Sequence, residues 1–402
     1  SMIQSAHTKA LAAVFTLLYF FISCRSINPE RLTAFPDKAQ QSQKGKNTRS
    51  ELSAPKKKPL NLSFAGDIMA HNVNFRMKNY ALIYEDIAPL LKENDVCFAN
   101  LETPVCETRE YQSYPCFNVH AEYVQAAIDA GFNVFSLANN HTNDQGKEGI
   151  EGSAAFFAHV RGQKVYSAGL KQPGSAELSY EVIECRGWKI LFAAVTQLVN
   201  QNAYTSLFDF YPDTKEGTAR LIEQIRLLKE KQPCDLFILS VHTNDSEYVL
   251  EISEKRKKQL HELLDAGADI VWTNHAHVSK SWESVYDTNG KKTKLIMYGL
   301  GNTISGQNPV YNFENPEHPY EYTGTGFIIN VTVDSDTSDK QGIIVSAINP
   351  VIIATHIDGN YNFIIKRLTA DFIASQNAKL SRYYTARLDL MKKIQDIGEC
   401  KK

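Results

Sequence analysis

Five short apolar runs, each closed by residues of the metal-ligating type, constrain this 402-residue chain more than any other feature. Residues 62–65 lead into Gly66-Asp67-Ile68-Met69-Ala70-His71, and residues 96–99 into Asn100-Leu101-Glu102. Residues 134–137 lead into Ala138-Asn139-Asn140-His141. Residues 236–241 lead into His242, with Asn244, Asp245 and Glu247 close behind, and residues 270–273 into Asn274-His275-Ala276-His277. Runs of this length and composition read as strands. In open α/β sheets, ligands gather outside the carboxyl ends of the strands, so residues far apart in sequence meet there. Taken singly, each motif has an ordinary explanation: a Gly-Asp turn, a helix-capping asparagine, a core histidine. Five at strand ends, in one order, point to a metal site. His275 and His277 are expected to share a face, because alternate residues of an extended chain point the same way. Histidine nitrogen with Asp, Glu and Asn oxygen suits Mn, Fe or Zn. The chain has no C-x-x-C pair, so a thiolate zinc site is not expected.

Between the strand-like runs lie amphipathic stretches at 85–92, 121–130, 148–160, 218–229 and 253–266, the alternation of an α/β body. Gly131 and Gly267 follow two of them as helix-ending glycines. Further strand-like runs occupy 190–195, 295–298, 326–333 and 343–353, and 371–393 reads as a closing helix. Arg186-Gly187 between two apolar runs predicts a hairpin, so the sheets should be mixed. A 43% hydrophobic content supplies a sizeable core, and a formal charge of −2 leaves no global footprint for nucleic acid.

The first 24 residues resemble a targeting segment. Lys9 precedes an apolar run over 10–23, too short for a typical membrane-spanning helix. It ends in Phe21-Ile22-Ser23-Cys24, a lipobox-like sequence in which Cys24 would be lipidated. The expected organisation is a signal peptide over 1–24 and a disordered polar and basic tether over 25–58. A metal-binding body over 59–357 and a C-terminal helical extension over 358–402 would follow. The expected location is the outer face of a bacterial membrane, as an exported cell-envelope lipoprotein. Cys106 and Cys116 flank a polar loop and are the first choice for a disulfide, whereas Cys97, Cys185 and Cys234 read as free, buried cysteines.

The order Asp, Glu, Asn-His, His, His-x-His resembles the blocks of the calcineurin-like metallophosphoesterases. Gly66-Asp67, Asn100-Leu101-Glu102, Ala138-Asn139-Asn140-His141, His275-Ala276-His277-Val278 and Gly299-Leu300-Gly301-Asn302 are similar to the CapA/PgsA-type proteins of poly-γ-glutamate capsule synthesis. The resemblance covers roughly residues 60–305. It implies a four-layer αββα sandwich of two mixed sheets flanked by helices, holding two divalent ions. Asp67, with His71, would be a ligand from the first block, and Glu102 the bridging carboxylate. Asn140, His242, His275 and His277 would complete the coordination. His141 would be the catalytic proton donor, and Asn100, Asn139, Glu247 and Asn302 would bind substrate. The implied chemistry is hydrolysis of a phosphoryl or acyl centre, within the synthesis, export or anchoring of an anionic surface polymer by a membrane complex. The rival implication is a non-catalytic, polymer-binding accessory subunit using the same metals. Two blocks depart from the family pattern. The fourth, commonly His-Trp-Gly-x-Glu-Tyr, is His242-Thr243-Asn244-Asp245-Ser246-Glu247-Tyr248 here, and the fifth lacks the usual proline between its histidines.

Overall fold

The structure is a computed structural model and describes residues 57–338 and 342–400. The expected signal segment, Cys24 and the tether up to residue 56 lie outside the described residues. In chain order the strands are β1 (Leu60–Ile68), β2 (Val96–Leu101), β3 (Val134–Ser136), β4 (Tyr166–Ala168), β5 (Tyr180–Cys185), β6 (Trp188–Thr196) and β7 (Leu236–His242). They continue as β8 (Ile270–Asn274), β9 (Trp282–Tyr286), β10 (Lys292–Met297), β11 (Asn302–Ile304), β12 (Thr325–Ser335), β13 (Ile343–Ile357) and β14 (Phe363–Arg367). One sheet runs β14-β13-β12-β1-β2-β3-β4, with β11 also paired to β1; the other runs β5-β6-β7-β8-β10-β9. In the first, β1 to β4 are parallel while β12 joins β1 antiparallel. In the second, a parallel centre carries antiparallel edges β5 and β9. Both sheets are mixed. Arg186 and Gly187, at φ 52° and 86°, make the turn between β5 and β6, the positive values a two-residue hairpin demands.

Period-two alternation sorts the side chains into layers. Leu62, Phe64, Phe98, Phe192, Ile238 and Trp272 face the space between the sheets. Cys97, Ala99 and Phe135 face outward onto the helix Ala121–Ala130. Leu191, Phe237, Leu239 and Val271 face outward onto the helices Lys215–Lys231 and Glu254–Ala266. The expected four-layer α/β/β/α sandwich is what the chain adopts. The two sheets are joined by aromatic rings: Phe64 stacks on Phe98 at 4.6 Å, and both meet Trp272 edge-on while Phe98 also meets Phe192. Each such ring stabilises the fold by about 2 kcal/mol through burial. Phe64, Phe98 and Trp272 of this cluster precede the carboxyl ends of β1, β2 and β8.

Helix boundaries follow local chemistry. Thr214 and Ser253 cap their helices by accepting from the amides of Gly217 and Arg256. Gly131 and Gly267 close theirs at φ 129° and 137°. The expected helix over 85–92 is instead two short ones, Ala81–Tyr84 and Ala88–Lys92. Pro89 is the cause, since its missing N–H and its ring forbid a helix running through from Glu85. The expected helix over 371–393 likewise divides into Ala370–Ala374 and Ala378–Glu399, where Ser375 closes the first segment and Asn377 caps the second. Tyr383, Tyr384, Met391 and Ile394 of the long helix enter the core between the sheets. Among the described residues no helix is long and apolar enough to cross a membrane.

The Cys106–Cys116 disulfide does not form; Cys97, Cys106, Cys116, Cys185, Cys234 and Cys400 are all free. The loop is closed by backbone pairing instead, Cys106 N–H to the Val119 carbonyl at 3.0 Å. That register turns Cys106 toward Thr108, at 3.3 Å, and leaves Cys116 beside Gln201, at 3.9 Å. Cys97 is buried as expected, whereas Cys185 and Cys234 are half-buried.

Gly66 marks where β1 changes partners. Below it β1 pairs with β12, above it with β11, and Asp67 N–H bonds the Gly301 carbonyl at 3.0 Å. A Cβ on Gly66 would stand 1.8 Å from that carbonyl oxygen, so only glycine lets the two backbones approach. Gly66→Ala is therefore expected to cost about 3 kcal/mol, read as a fall in the denaturant midpoint. A midpoint unchanged from wild type would refute this packing.

Candidate metal centre

The carboxyl ends of β1, β2, β3, β7, β8 and the start of β11 converge on one rim, and the side chains there are buried. Asp67 is the penultimate residue of β1. Its Oδ1 accepts from Asn100 Nδ2 at 2.8 Å and its Oδ2 lies 3.1 Å from His277 Nδ1. Glu102 follows β2, placed by its N–H bonding the Ile68 carbonyl at 2.9 Å. Its Oε2 is 3.2 Å from Asn100 Nδ2. Its Oε1 is 3.7 Å from both His242 Nε2 and His277 Nε2 and has no hydrogen-bond partner. His242 ends β7, with Nε2 at 2.9 Å from Asn140 Oδ1. His275 packs against His242 at 4.9 Å between ring centroids, and its Nδ1 is buried without a partner.

The two histidines after β8 do not reach one site by extended-chain alternation. His275 takes φ 103° and His277 φ 57°, left-handed backbone that costs a non-glycine residue on the order of 1–3 kcal/mol and gathers at functional sites. The turn delivers the pair to two different neighbourhoods. Glu102, His242 and His275 form one group whose ligand atoms all lie within 4.8 Å of one another; Asp67, Glu102 and His277 form another. Glu102 belongs to both. Glu247, His275 and His277 form a third, with Glu247 exposed.

The electrostatics suit a cation. Burial, then the neighbouring histidines, hold the pKa of His242 well below its usual 6.5, and the same causes lower His275 to about 3. Their lone pairs are thus free for a metal. Burial, Asp67 and Glu247 push Glu102 well above 4.5, the response of a carboxylate that lacks a positive partner. The orphaned Glu102 Oε1 and His275 Nδ1, with the oxygen and imidazole donors around them, fit one or more divalent ions.

The other expected residues divide by role. His141 Nδ1 is 2.7 Å from Asp144 Oδ2, and its ring meets Phe117 edge-on at 4.6 Å. Asp144, whose pKa burial raises, also accepts the Phe117 N–H at 2.7 Å. His71 stands beside this group, its Nδ1 accepting from Gly306 N–H at 3.0 Å, and belongs to none of the three clusters. Asn100, Asn139 and Asn302 are buried, and their amides hold neighbouring groups in place, with Asn100 Oδ1 left without a partner. Asn139 Nδ2 bonds the Leu101 carbonyl and its Oδ1 takes the His141 N–H, while Asn302 Oδ1 is 3.1 Å from His277 Nδ1. Sequence reasoning missed Asp144 and Asn200. Asp144 carries a usable signal, three residues after His141; Asn200, 3.3 Å from Asn140 and 3.4 Å from His141, carries none.

A family model described as "Bacterial capsule synthesis protein PGA_cap" matches residues 61–307. The chain is similar to the capsule biosynthesis protein CapA of Bacillus anthracis, 28% identical over 279 residues that cover 64% of each chain. It is also similar to the PGA biosynthesis protein CapA of Bacillus subtilis, 25% identical, over 62% of this chain and 64% of that one. The chain thus spans slightly less than two thirds of these relatives' length. Among solved structures, a calcineurin-like phosphoesterase from Bacillus subtilis aligns with a TM-score of 0.42 at 10% identity, covering 85% of this chain and 99% of that one.

The pKa shifts set the acid behaviour of the metal-free chain. His71 and His275, lowered to about 3, and His242, held well below its usual value, are neutral when folded and take up protons on unfolding below 6.5. The stability they contribute is complete above pH 6.5 and is lost as pH falls toward 3. Glu102 opposes them, since its raised pKa makes acidification toward 4.5 relieve a cost. Asp144, Asp209 and Asp269, also raised by burial, act with Glu102, and His356, lowered by burial, acts with the three histidines. The contribution of the site is therefore read by difference: in chelator, the change in melting temperature between pH 6.5 and 4.5 should be less unfavourable in His275→Gln than in wild type. The same change in both proteins would show that His275 carries none of it.

Proposed function

The chain belongs to the bacterial capsule synthesis protein family PGA_cap, and from that membership we propose that its body is a metal-dependent hydrolase serving a surface polymer such as poly-γ-glutamate. The observation that carries the reading is Glu102, one buried carboxylate common to two ligand groups. Two divalent ions would be held, one by Asp67, Glu102 and His277, the other by Glu102, Asn140, His242 and His275. When bound, such ions supply positive charge to the group under attack and acidify a bound water.

The chain's own residues do the rest. Asp144 fixes the His141 ring against Phe117 and holds a proton on Nδ1. With Nδ1 engaged in this way, Nε2 is the nitrogen left to hand a proton to the leaving group. Asn100 keeps the Asp67 and Glu102 carboxylates at a fixed separation by donating to both. In this reading the protein is exported, lipidated at Cys24 and held at the outer face of a bacterial membrane. The apolar run over 10–23 and Phe21-Ile22-Ser23-Cys24 support that placement. There it acts with a capsule-synthesis complex in making, exporting or anchoring the polymer.

Metal content of the full chain, measured by mass spectrometry, is expected to be about two transition-metal ions, lost in His275→Ala/His277→Ala. His141→Ala should keep the metal and lose about 10²–10⁴-fold in turnover of a phosphodiester or γ-glutamyl amide. Unchanged turnover would remove His141 from the reaction. Metal with tight polymer binding and no turnover would leave the accessory role, and a chain that takes up no Mn, Fe or Zn would end the hydrolase reading.

A further inference from the structure

The loop after β7 is fastened more firmly than the delivery of one histidine requires. Asp245 accepts from Arg256 Nε at 2.8 Å and from Lys280 Nζ at 2.9 Å. Both cations are buried, at 5% and 3% exposure. Arg256 reaches further to Gln197 at 2.5 Å, to Gln259, and to Asp213 at 3.5 Å. Three residues beyond Asp245, the Tyr248 N–H bonds the Ala276 carbonyl at 3.0 Å, which ties the loop to the residue between His275 and His277. Tyr248 adopts φ 63°, and its hydroxyl accepts from Gln307 Nε2 at 3.4 Å.

Between these two fastenings stands Glu247. Its carboxylate and the ligand nitrogens of His275 and His277 lie within 4.8 Å of one another. The histidines are buried and Glu247 is exposed, so the carboxylate lies over the solvent side of the site. A solvated surface acid needs no such scaffold, and burying Arg256 and Lys280 to brace its loop carries a desolvation cost. The geometry points to Glu247 as a further ligand of the metal centre, a carboxylate that closes its solvent side. Asp245, gripped by Arg256 and Lys280, is the residue that positions it. The inference rests on the metal-dependent reading above. An anionic group arriving from solvent then has to displace Glu247 to reach the ions.

The test is binding of Mn²⁺ and of Zn²⁺ to the full chain, by titration calorimetry at fixed pH, for wild type, Glu247→Gln, Glu247→Ala and Asp245→Asn. Glu247→Gln is expected to keep the metal-free melting temperature and to lose about tenfold in affinity for at least one ion. Acetate should restore part of the loss in Glu247→Ala, because it resupplies the carboxylate. Asp245→Asn should weaken the same affinity by a smaller factor. Wild-type binding with Glu247→Gln within about twofold of it would overturn the inference alone. A wild-type chain that binds neither metal would overturn this and the metal-dependent reading together.

Discussion

Everything at the rim depends on one buried carboxyl group. Glu102 has no solvent exposure, and one of its oxygens has no donor to satisfy it. Taking such a carboxylate out of water carries a penalty of several kcal/mol unless a cation offsets it. The surroundings are arranged around that need. Sheet register puts Asp67 opposite Asn100 in β1 and β2, and His242 opposite Asn274 in β7 and β8. The aromatic cluster of Phe64, Phe98, Phe192 and Trp272 locks the sheets so that these rows face each other. A slip of one residue in any of the four strands would point a ligand into the core.

Strand ends were legible because both signals are local: a short apolar run, then a change to metal-ligating side chains. All five expected strands formed, and Asp67, Glu102, His242, His275 and His277 are gathered within their groups. What failed was reasoning that treated backbone as default. His275 and His277 share the site through left-handed residues, a conformation that tertiary packing selects and that no sequence pattern announces. The unformed Cys106–Cys116 bond shows the same limit, since cross-loop register decides which side chains face each other. The helix break at Pro89 was readable from the residue itself, and Asp144 from its i+3 spacing. Asn200 was not, because it comes from a loop with no periodicity and meets His141 only through folding.

The asparagines teach a finer point. Asn100, Asn139 and Asn302 stand in family-like blocks, yet each donates or accepts within the protein. Asn100 separates two carboxylates, Asn139 shapes the turn that presents His141, and Asn302 backs His277. Outer partners of this kind fix the orientation of inner ligands, and a site is as precise as they are. A family motif therefore records the scaffolding of the chemistry as well as its participants.

The stretch recognised by the family model ends at residue 307, while β1 takes its antiparallel partner from β12, beyond that limit. Cutting the chain there would turn the strand that carries Asp67 into a sheet margin, with unpaired N–H and C=O groups along Leu60 to Phe64. It would also strip Phe327, Ile329 and the long terminal helix from the core. Such a margin invites pairing with a second chain. A fragment chosen by motif boundaries would therefore be expected to self-associate, and work on the isolated body has to carry the strands and helix after residue 307 along with the ligands.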